Sequence, residues 1–166
     1  DVATEDSIIE VYGQQDQGGA AVYLSTWIAK TTGYLIIRDT STGGDGARHK
    51  GKFGDTACDA LIDVSVISYN RTKISGLLIT ATSMGTPIYF QGAMGEGHVY
   101  ECAVVNRTNS NTPTITLGPT SASNFYVHNN FIIRDNPLSA TDNIIWAGVS
   151  ATTSYIYANS IYTGEC

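Results

Sequence analysis

Charge is scarce in this chain: Asp, Glu, Lys and Arg together make up 14% of its 166 residues, against about a quarter in an ordinary globular domain. That shortage excludes a coiled coil, a Lys/Glu-rich helical bundle and a charged disordered tail, all of which are built from charged residues. The few charges are also unbalanced, 9 basic against 15 acidic, for a net −6 and a pI near 4.8. Bulk attraction to a nucleic-acid polymer or to an anionic membrane is therefore disfavoured, and any anion site must be local. No apolar run approaches the ~18 to 20 residues of a membrane span, so no membrane insertion is expected. A basic and apolar leader is missing. So is an initiator Met: the chain starts Asp1-Val2-Ala3, which reads as an expressed fragment or a processed product of something longer. The three cysteines, Cys58, Cys102 and Cys166, fit neither a close-paired zinc motif nor an even disulfide framework, so buried or idle thiols are expected.

Gly, Thr, Ser and Asn take the place of the missing charge. The length suits one β-rich domain over 1–166, large enough to bury roughly 68 to 70% of its unfolded surface. Short segments rich in Val, Ile, Tyr and Thr recur at 8–12, 21–29, 34–38, 61–68, 77–82, 87–91, 98–106, 114–117, 125–134, 144–148 and 155–162. Clusters of Gly, Asn, Asp, Pro or Ser bound each one, which is the pattern of strands between tight turns. None carries a sustained helical period with caps, so the chain is expected to be nearly all β.

Spacing says more than composition. The segments starting at Val99, Val127 and Ile156 align without gaps, 28 and 29 residues apart, and each carries a later apolar pair: Val104-Val105, Ile132-Ile133 and Ile161-Tyr162. Segments from Val22 and Leu61 fit the same template at wider separations of 39 and 38, with second strands expected at Leu35, Leu77, Ile115 and Ile144. Repeats of this length, each too small to bury its own face, predict a β-helix or β-solenoid whose coils stack, with open ends and edges suited to an oligomer. The alternative is a jelly roll or β-sandwich, whose regularly spaced strands also produce apparent repeats.

The densest basic stretch is Arg48-His49-Lys50-Gly51-Lys52, inside a Gly-rich run. Residues 46–52 satisfy the GxxxxGK portion of a phosphate-binding loop, in which Gly lets backbone N–H groups face phosphate and Lys adds charge. Phe53 stands where the magnesium-binding Ser or Thr belongs, so a nucleotide-hydrolysing loop is not expected: the stretch reads as a mobile solvated loop, with the holding of a phosphate or an acidic glycan as the alternative. The densest acidic cluster is Asp1, Glu5, Asp6 and Glu10. Carboxylates held close together can divide into a protonated acid and an ionised base, and the competing reading is a polar leader. Asp55, Asp59 and Asp63 are spaced for a helix face but fall before or within a strand. His49, His98 and His128 lack metal-ligand spacing, and the last two sit at near-equivalent repeat positions where they would stack. Asn70-Arg-Thr72 and Asn106-Arg-Thr108 are glycosylation sequons that also suit turns. Tyr23, Tyr89, Tyr100, Tyr126, Tyr155, Tyr157 and Tyr162 are candidates to stack on sugar rings or to pair across strands. Glu101 would be one half of a polysaccharide-cleaving carboxylate pair, but the aligned position is Asn129.

Segments such as Phe125-Tyr-Val-His-Asn-Asn-Phe-Ile-Ile-Arg-Asp-Asn and Ser154-Tyr-Ile-Tyr-Ala-Asn-Ser-Ile-Tyr-Thr-Gly resemble rungs of phage tailspike and appendage proteins. In size and acidic N-terminus the chain is similar to the C-terminal domains of podovirus appendage proteins. The resemblance implies a homotrimer that acts as an intramolecular chaperone for upstream spike domains of the same polypeptide, in the virion or in the host cytoplasm during assembly. It also implies self-cleavage near the N-terminus, with Asp1 bordering the cut and Glu5 or Asp6 assisting, and ATP held by Arg48, His49, Lys50 and Lys52. The chain departs from the helical chaperone domains of that family in having no helix pattern. A receptor- or glycan-binding fibre tip is the alternative function, and a polysaccharide-cleaving β-helix the second.

Overall fold

The computed structural model describes residues 4–23, 32–39, 59–68, 71–82, 85–92, 95–108, 111–119, 121–135, 143–148 and 153–164. Among them there is no helix. Fifteen strands follow in order: β1 (Ser7–Val11), β2 (Gln14–Tyr23), β3 (Leu35–Asp39), β4 (Ala60–Ser68), β5 (Thr72–Ser75), β6 (Leu78–Ala81), β7 (Ile88–Gly92), β8 (Glu96–Tyr100), β9 (Ala103–Asn106), β10 (Ile115–Pro119), β11 (Asn124–His128), β12 (Phe131–Arg134), β13 (Ile145–Ala147), β14 (Thr153–Tyr157) and β15 (Ser160–Thr163).

Every pairing between them is parallel. That decides between the two expected architectures. A jelly roll pairs neighbouring strands antiparallel, whereas a chain that winds around and returns to the same side stacks its coils in parallel. The protein is an all-β solenoid. One sheet runs β1-β3-β5-β8-β11-β14, and the other runs β13-β10-β7-β4-β6-β9-β12-β15 with β2 also on β4. The start of β4 pairs with β6 and its end with β7, so the second sheet turns at this strand and the coil has three faces. Asp63, at φ +49°, sits within β4 between those two halves.

Alternation along each strand sends one set of side chains inward. On the first face Ile9, Ile37, Ile74, Val99, Val127 and Ile156 form one inner column by register. On the second, Leu61, Ile79, Val104, Ile132 and Ile161 form another. On the third, Val66, Ile88, Ile115 and Ile145 do the same. The middle members of these columns are fully buried, and complete burial of one such side chain stabilises by about 1.5–3 kcal/mol. Gly97 lies in the inner row beside Phe125, where an added Cβ would come within 2.9 Å of the ring. Its missing side chain lets Phe125 tilt against Phe90 at 5.4 Å between centroids.

The corner from first to second face is the most repetitive feature. At each corner one residue takes positive φ: Gly76 (75°), Glu101 (56°), Asn129 (56°) and Ala158 (53°). A non-glycine residue there costs roughly 1–2 kcal/mol, and the following residue repays it by pointing inward. Asn130 accepts the Cys102 N–H at 3.0 Å and donates to the Val99 carbonyl at 2.9 Å. Asn159 accepts the Asn130 N–H at 3.0 Å and donates to the Val127 carbonyl at 2.8 Å. Asn130 also donates to the Asn159 side chain at 3.0 Å, which closes a two-step ladder. Cys102 continues the column as a buried thiol whose Sγ–H faces the Tyr100 carbonyl at 3.3 Å, so for this cysteine the expected buried thiol is found. Cys58 and Cys166 lie outside the described residues.

The repeats over 98–106, 125–134 and 155–162 pair as the sequence predicts, Val99 with Val127 and Val127 with Ile156. Each divides at its corner into two strands. The earlier alignments shift. Val22 pairs with Val66 rather than Leu61, and Val104 follows Ile79 rather than Val66. Leu35 belongs to the first face, beside Thr72. The alignment failed because β5, with only Ile74 as a large apolar residue among Thr72, Lys73 and Ser75, carries too weak a pattern to register as a rung.

Candidate functional site

Beyond the end of β4, the outer surface of the third face is built from three short in-register strands, β7, β10 and β13. Each starts with an inward Ile, namely Ile88, Ile115 and Ile145, so the next residue must point outward. Those residues are Tyr89, Thr116 and Trp146, stacked in one column across β7, β10 and β13. Two positions further along β10 comes Gly118, where an added Cβ would meet Tyr89 Cε2 at 3.1 Å and Trp146 Cζ3 at 3.3 Å. The absence of a side chain lets both rings lean over Gly118 from opposite sides. Gly148 gives the indole the same room, its would-be Cβ lying 3.2 Å from Trp146 Cη2.

Beside this aromatic pair opens a pocket of about 340 Å³ lined by Tyr89, Asn111, Pro113, Thr116, Asn143 and Trp146. Asn111 and Pro113 come from the turn before β10. Asn143 stands one coil beyond Pro113, two residues before the paired Ile115 and Ile145. The turn is held from below. Asn106 Nδ2 donates to the Thr112 carbonyl at 3.2 Å and to the Gly85 carbonyl at 3.3 Å, and the buried guanidinium of Arg134 donates to the same Thr112 carbonyl. Hydrogen bonds inside the fold occupy most polar side chains at the corners, but those of the pocket are uncommitted. The Tyr89 hydroxyl, the Asn111 and Asn143 amides, the Thr116 hydroxyl and the Trp146 N–H make no side-chain hydrogen bond within the described protein. None of the described lining residues is charged.

The outer surface of the first face carries the ionisable groups. Arg71 Nη2 donates to the Tyr34 hydroxyl oxygen at 2.8 Å and to Glu96 Oε2 at 3.0 Å, while His98 Nε2 lies 2.7 Å from Glu96 Oε1. Lys73 places its ammonium 3.7 Å from the Tyr34 ring centroid. Burial pushes the Glu96 carboxyl up. Hydrogen bonds from Tyr34 and His98, with the charges of His98 and Arg71, outweigh burial and hold it below the ordinary 4.5. His98 is held below 6.5, chiefly by burial, against the pull of Glu96. Burial and the hydrogen bond to Glu96 raise Tyr34. Through Arg71 the cluster ties the coils carrying Tyr34, Arg71 and Glu96 together.

Rings stack along the same face. His98 lies on Tyr126 at 4.7 Å and Tyr126 on Tyr155 at 4.9 Å, and in the next column His128 lies between Tyr100 at 5.4 Å and Tyr157 at 4.9 Å. The two histidines therefore stack on tyrosines in adjacent columns and not on each other as expected. Among the candidate sugar-stacking tyrosines, Tyr126 is stacked on both faces, while Tyr100, Tyr155 and Tyr157 each turn one face to a cross-strand partner.

Of the expected catalytic group, Asp1 lies outside the described residues. Glu5 is exposed, and Asp6 Oδ1 accepts the Tyr34 N–H at 2.8 Å, fastening the first coil to the second. Arg48, His49, Lys50 and Lys52 also lie outside the described residues, as do Asn70 and Asp55. Asp59 is buried and accepts the Gly13 N–H at 2.6 Å, while Asp63 accepts from Thr82. Asn106 resolves its sequon as a turn: the amide is fully buried, and its oxygen accepts from Thr108 N at 3.0 Å and Thr108 Oγ1 at 2.7 Å. Glu101, Asn129 and Ala158 stack at the corner with no second carboxylate in that row.

The pocket is absent from the sequence-based candidates apart from Tyr89. The signal was present in the tripeptides Ile88-Tyr-Phe, Ile115-Thr-Leu and Ile145-Trp-Ala, whose middle residues form the outer column. No family model matches this chain, and neither curated proteins nor solved structures give a match.

Proposed function

We propose that the protein is a binding module that holds a carbohydrate in the pocket on its third face. One observation carries this reading: an aromatic pair and five uncommitted, uncharged hydrogen-bonding groups converge on a single pocket. A sugar ring offers C–H surface to an aromatic ring and a rim of hydroxyls that both donate and accept, so it matches apolar walls with a few placed polar groups. Among the described residues the lining contains no carboxylate, the group that glycoside cleavage ordinarily uses in pairs. This supports binding over polysaccharide cleavage. Titration calorimetry against a panel of mono- and oligosaccharides tests the reading. At least one saccharide binds, and Trp146→Ala weakens it at least tenfold, about 1.4 kcal/mol. Equal affinity in wild type and Trp146→Ala would remove the proposal.

The homotrimer of a phage spike is a second reading, favoured by the last coil. Ile156 and Ile161 belong to inner columns yet are 45% and 50% exposed, and Tyr155, Tyr157 and Tyr162 beside them are exposed as well. Sister copies covering this end would complete the core. Light scattering in moderate salt tests it, and a stable monomer refutes it. Asp1 of the expected self-cleavage and the expected ATP site at Arg48, His49, Lys50 and Lys52 lie outside the described residues, while of the two assisting carboxylates Glu5 is exposed and Asp6 is bonded to the Tyr34 N–H.

A further inference from the structure

We infer that the solenoid end formed by β14 and β15 captures an extended strand of a partner polypeptide, added parallel to β14 and carrying a ring, an aliphatic residue and a ring in succession. The pocket on the third face plays no part in this. The end is the one that the trimer reading covers with sister copies, but the occupant is different.

Two columns of rings run to this end and stop there uncovered. His98-Val99-Tyr100, Tyr126-Val127-His128 and Tyr155-Ile156-Tyr157 lie in register on β8, β11 and β14. Residues two apart share one side of a strand, so the rings build the columns His98, Tyr126, Tyr155 and Tyr100, His128, Tyr157, with neighbouring planes 3° to 13° apart. Tyr126 and His128 are stacked on both faces. Tyr155 and Tyr157 are stacked on one, and they remain 47% and 53% exposed. Their bare faces sit two residues apart along β14, roughly 6.6 Å, which is the spacing of two rings on an incoming strand.

The backbone of β14 is open on the same side. Among the described residues β14 pairs with β11 alone. The Thr153 N–H goes to the Ser123 carbonyl. A residue in a parallel strand sends its N–H and C=O to one neighbour and the next residue sends both to the other, so those of Ser154 and Ile156 face away from β11. An added strand takes them up as ladder hydrogen bonds, the mode by which extended peptides extend a sheet edge. The same register lays its aliphatic residue over Ile156.

The opposite end of the solenoid decides which occupant fits. There Val11 is buried and Ile9 half-buried. Register places Gln15 at the head of the inner row Leu61, Ile79, Val104, Ile132, Ile161, and its side chain donates to the Tyr12 carbonyl at 2.7 Å. A polar residue therefore closes that row at the first coil, whereas at the last coil Ile161 leaves it 50% exposed. A second copy stacked head to tail would set Gln15 on Ile161, and Ile8 and Glu10 on the faces of Tyr155 and Tyr157. That would desolvate a carboxamide and a carboxylate against apolar surface. A strand reading ring, aliphatic, ring continues both ring columns and the inner row between them.

The test uses the full chain and a fluorescently labelled peptide with the sequence of residues 125–134, Phe-Tyr-Val-His-Asn-Asn-Phe-Ile-Ile-Arg. A second peptide carries Ser in place of the two rings (Tyr126→Ser/His128→Ser). By fluorescence anisotropy the ring-bearing peptide binds about tenfold tighter or more, and Tyr155→Ser/Tyr157→Ser in the protein removes that difference. Hydrogen exchange at the Ile156 amide of the wild-type protein slows by about fivefold or more at saturation, a readout that needs no variant to fold. Equal affinity for the two peptides, or unchanged exchange at Ile156, overturns the proposal. Binding of neither peptide overturns it as well, and self-association in light scattering that Ile156→Asp abolishes would then assign the end to sister copies.

Discussion

Replacing Asn130 with Ala tests the inner ladder directly. Three hydrogen bonds disappear: from Cys102 N–H to Oδ1, and from Nδ2 to the Val99 carbonyl and the Asn159 side chain. At roughly 0.5–1.5 kcal/mol for each bond, the loss spans about 1.5–4.5 kcal/mol. The Cys102 N–H and the Val99 carbonyl belong to fully buried residues and Asn130 is itself 3% exposed, so water cannot replace the lost partner and the upper half of that range applies. We expect about 3 kcal/mol. With a urea m-value of ~2 kcal/mol/M for a domain of this size, the midpoint falls by about 1.5 M. Amide exchange at Cys102 accelerates as well, which ties the loss to this bond. Asn159→Ala is the internal comparison. Its three bonds, to the Asn130 N–H, the Asn130 Nδ2 and the Val127 carbonyl, also end on buried residues. Asn159 itself is only half-buried, however, so water reaches the vacated site and the cost stays in the lower half of the range, about 2 kcal/mol. An Asn130→Ala protein within 1 kcal/mol of wild type, or one more stable than Asn159→Ala, would show that the ladder does not hold the corners.

Other consequences are equally specific. Gly97→Ala drives a methyl against the Phe125 ring and should destabilise by about 1–3 kcal/mol, read as a lower melting temperature, with partial recovery in Gly97→Ala/Phe125→Leu. His98 is held below its ordinary value of 6.5, so the folded protein binds fewer protons there than the unfolded chain does. Its stabilising contribution is complete above that value and is lost as pH falls toward the depressed one. Glu96, also lowered, acts in the same direction at lower pH. The groups around His98 are Tyr34, Lys73, Arg71, Glu96, Tyr126 and His128. In His98→Phe the decline in denaturation midpoint just below pH 6.5 should flatten, and an unchanged pH profile would dismiss His98 as its source. Asn106 should remain unmodified when the chain is expressed through a glycosylating secretory pathway, as mass spectrometry of the peptide containing it will show. Asn106→Ala should cost about 2–3 kcal/mol, because the amide is buried with all its bonds made.

The sequence by itself determined the class of fold and the rhythm of its second half. Low charge, β-branched residues and the exact repetition of Val99, Val127 and Ile156 leave few arrangements other than stacked coils, because an inner column needs an apolar residue at the same point of every circuit. The corner asparagines were visible in that repeat, though their role was not, since a hydrogen bond between coils exists only once the register is set. Tertiary structure decided the rest. The early rungs were misaligned because β5 is short and mixed in character, and loops of unequal length hide its relation to β3 and β8. The pocket depends on neighbours 27 and 30 residues apart: Tyr89, Thr116 and Trp146 look like three unrelated strand residues until winding places them in one column. Gly118 could not announce itself either. Its meaning is the space left for two rings from other coils, and a missing side chain acquires meaning only when its surroundings are known.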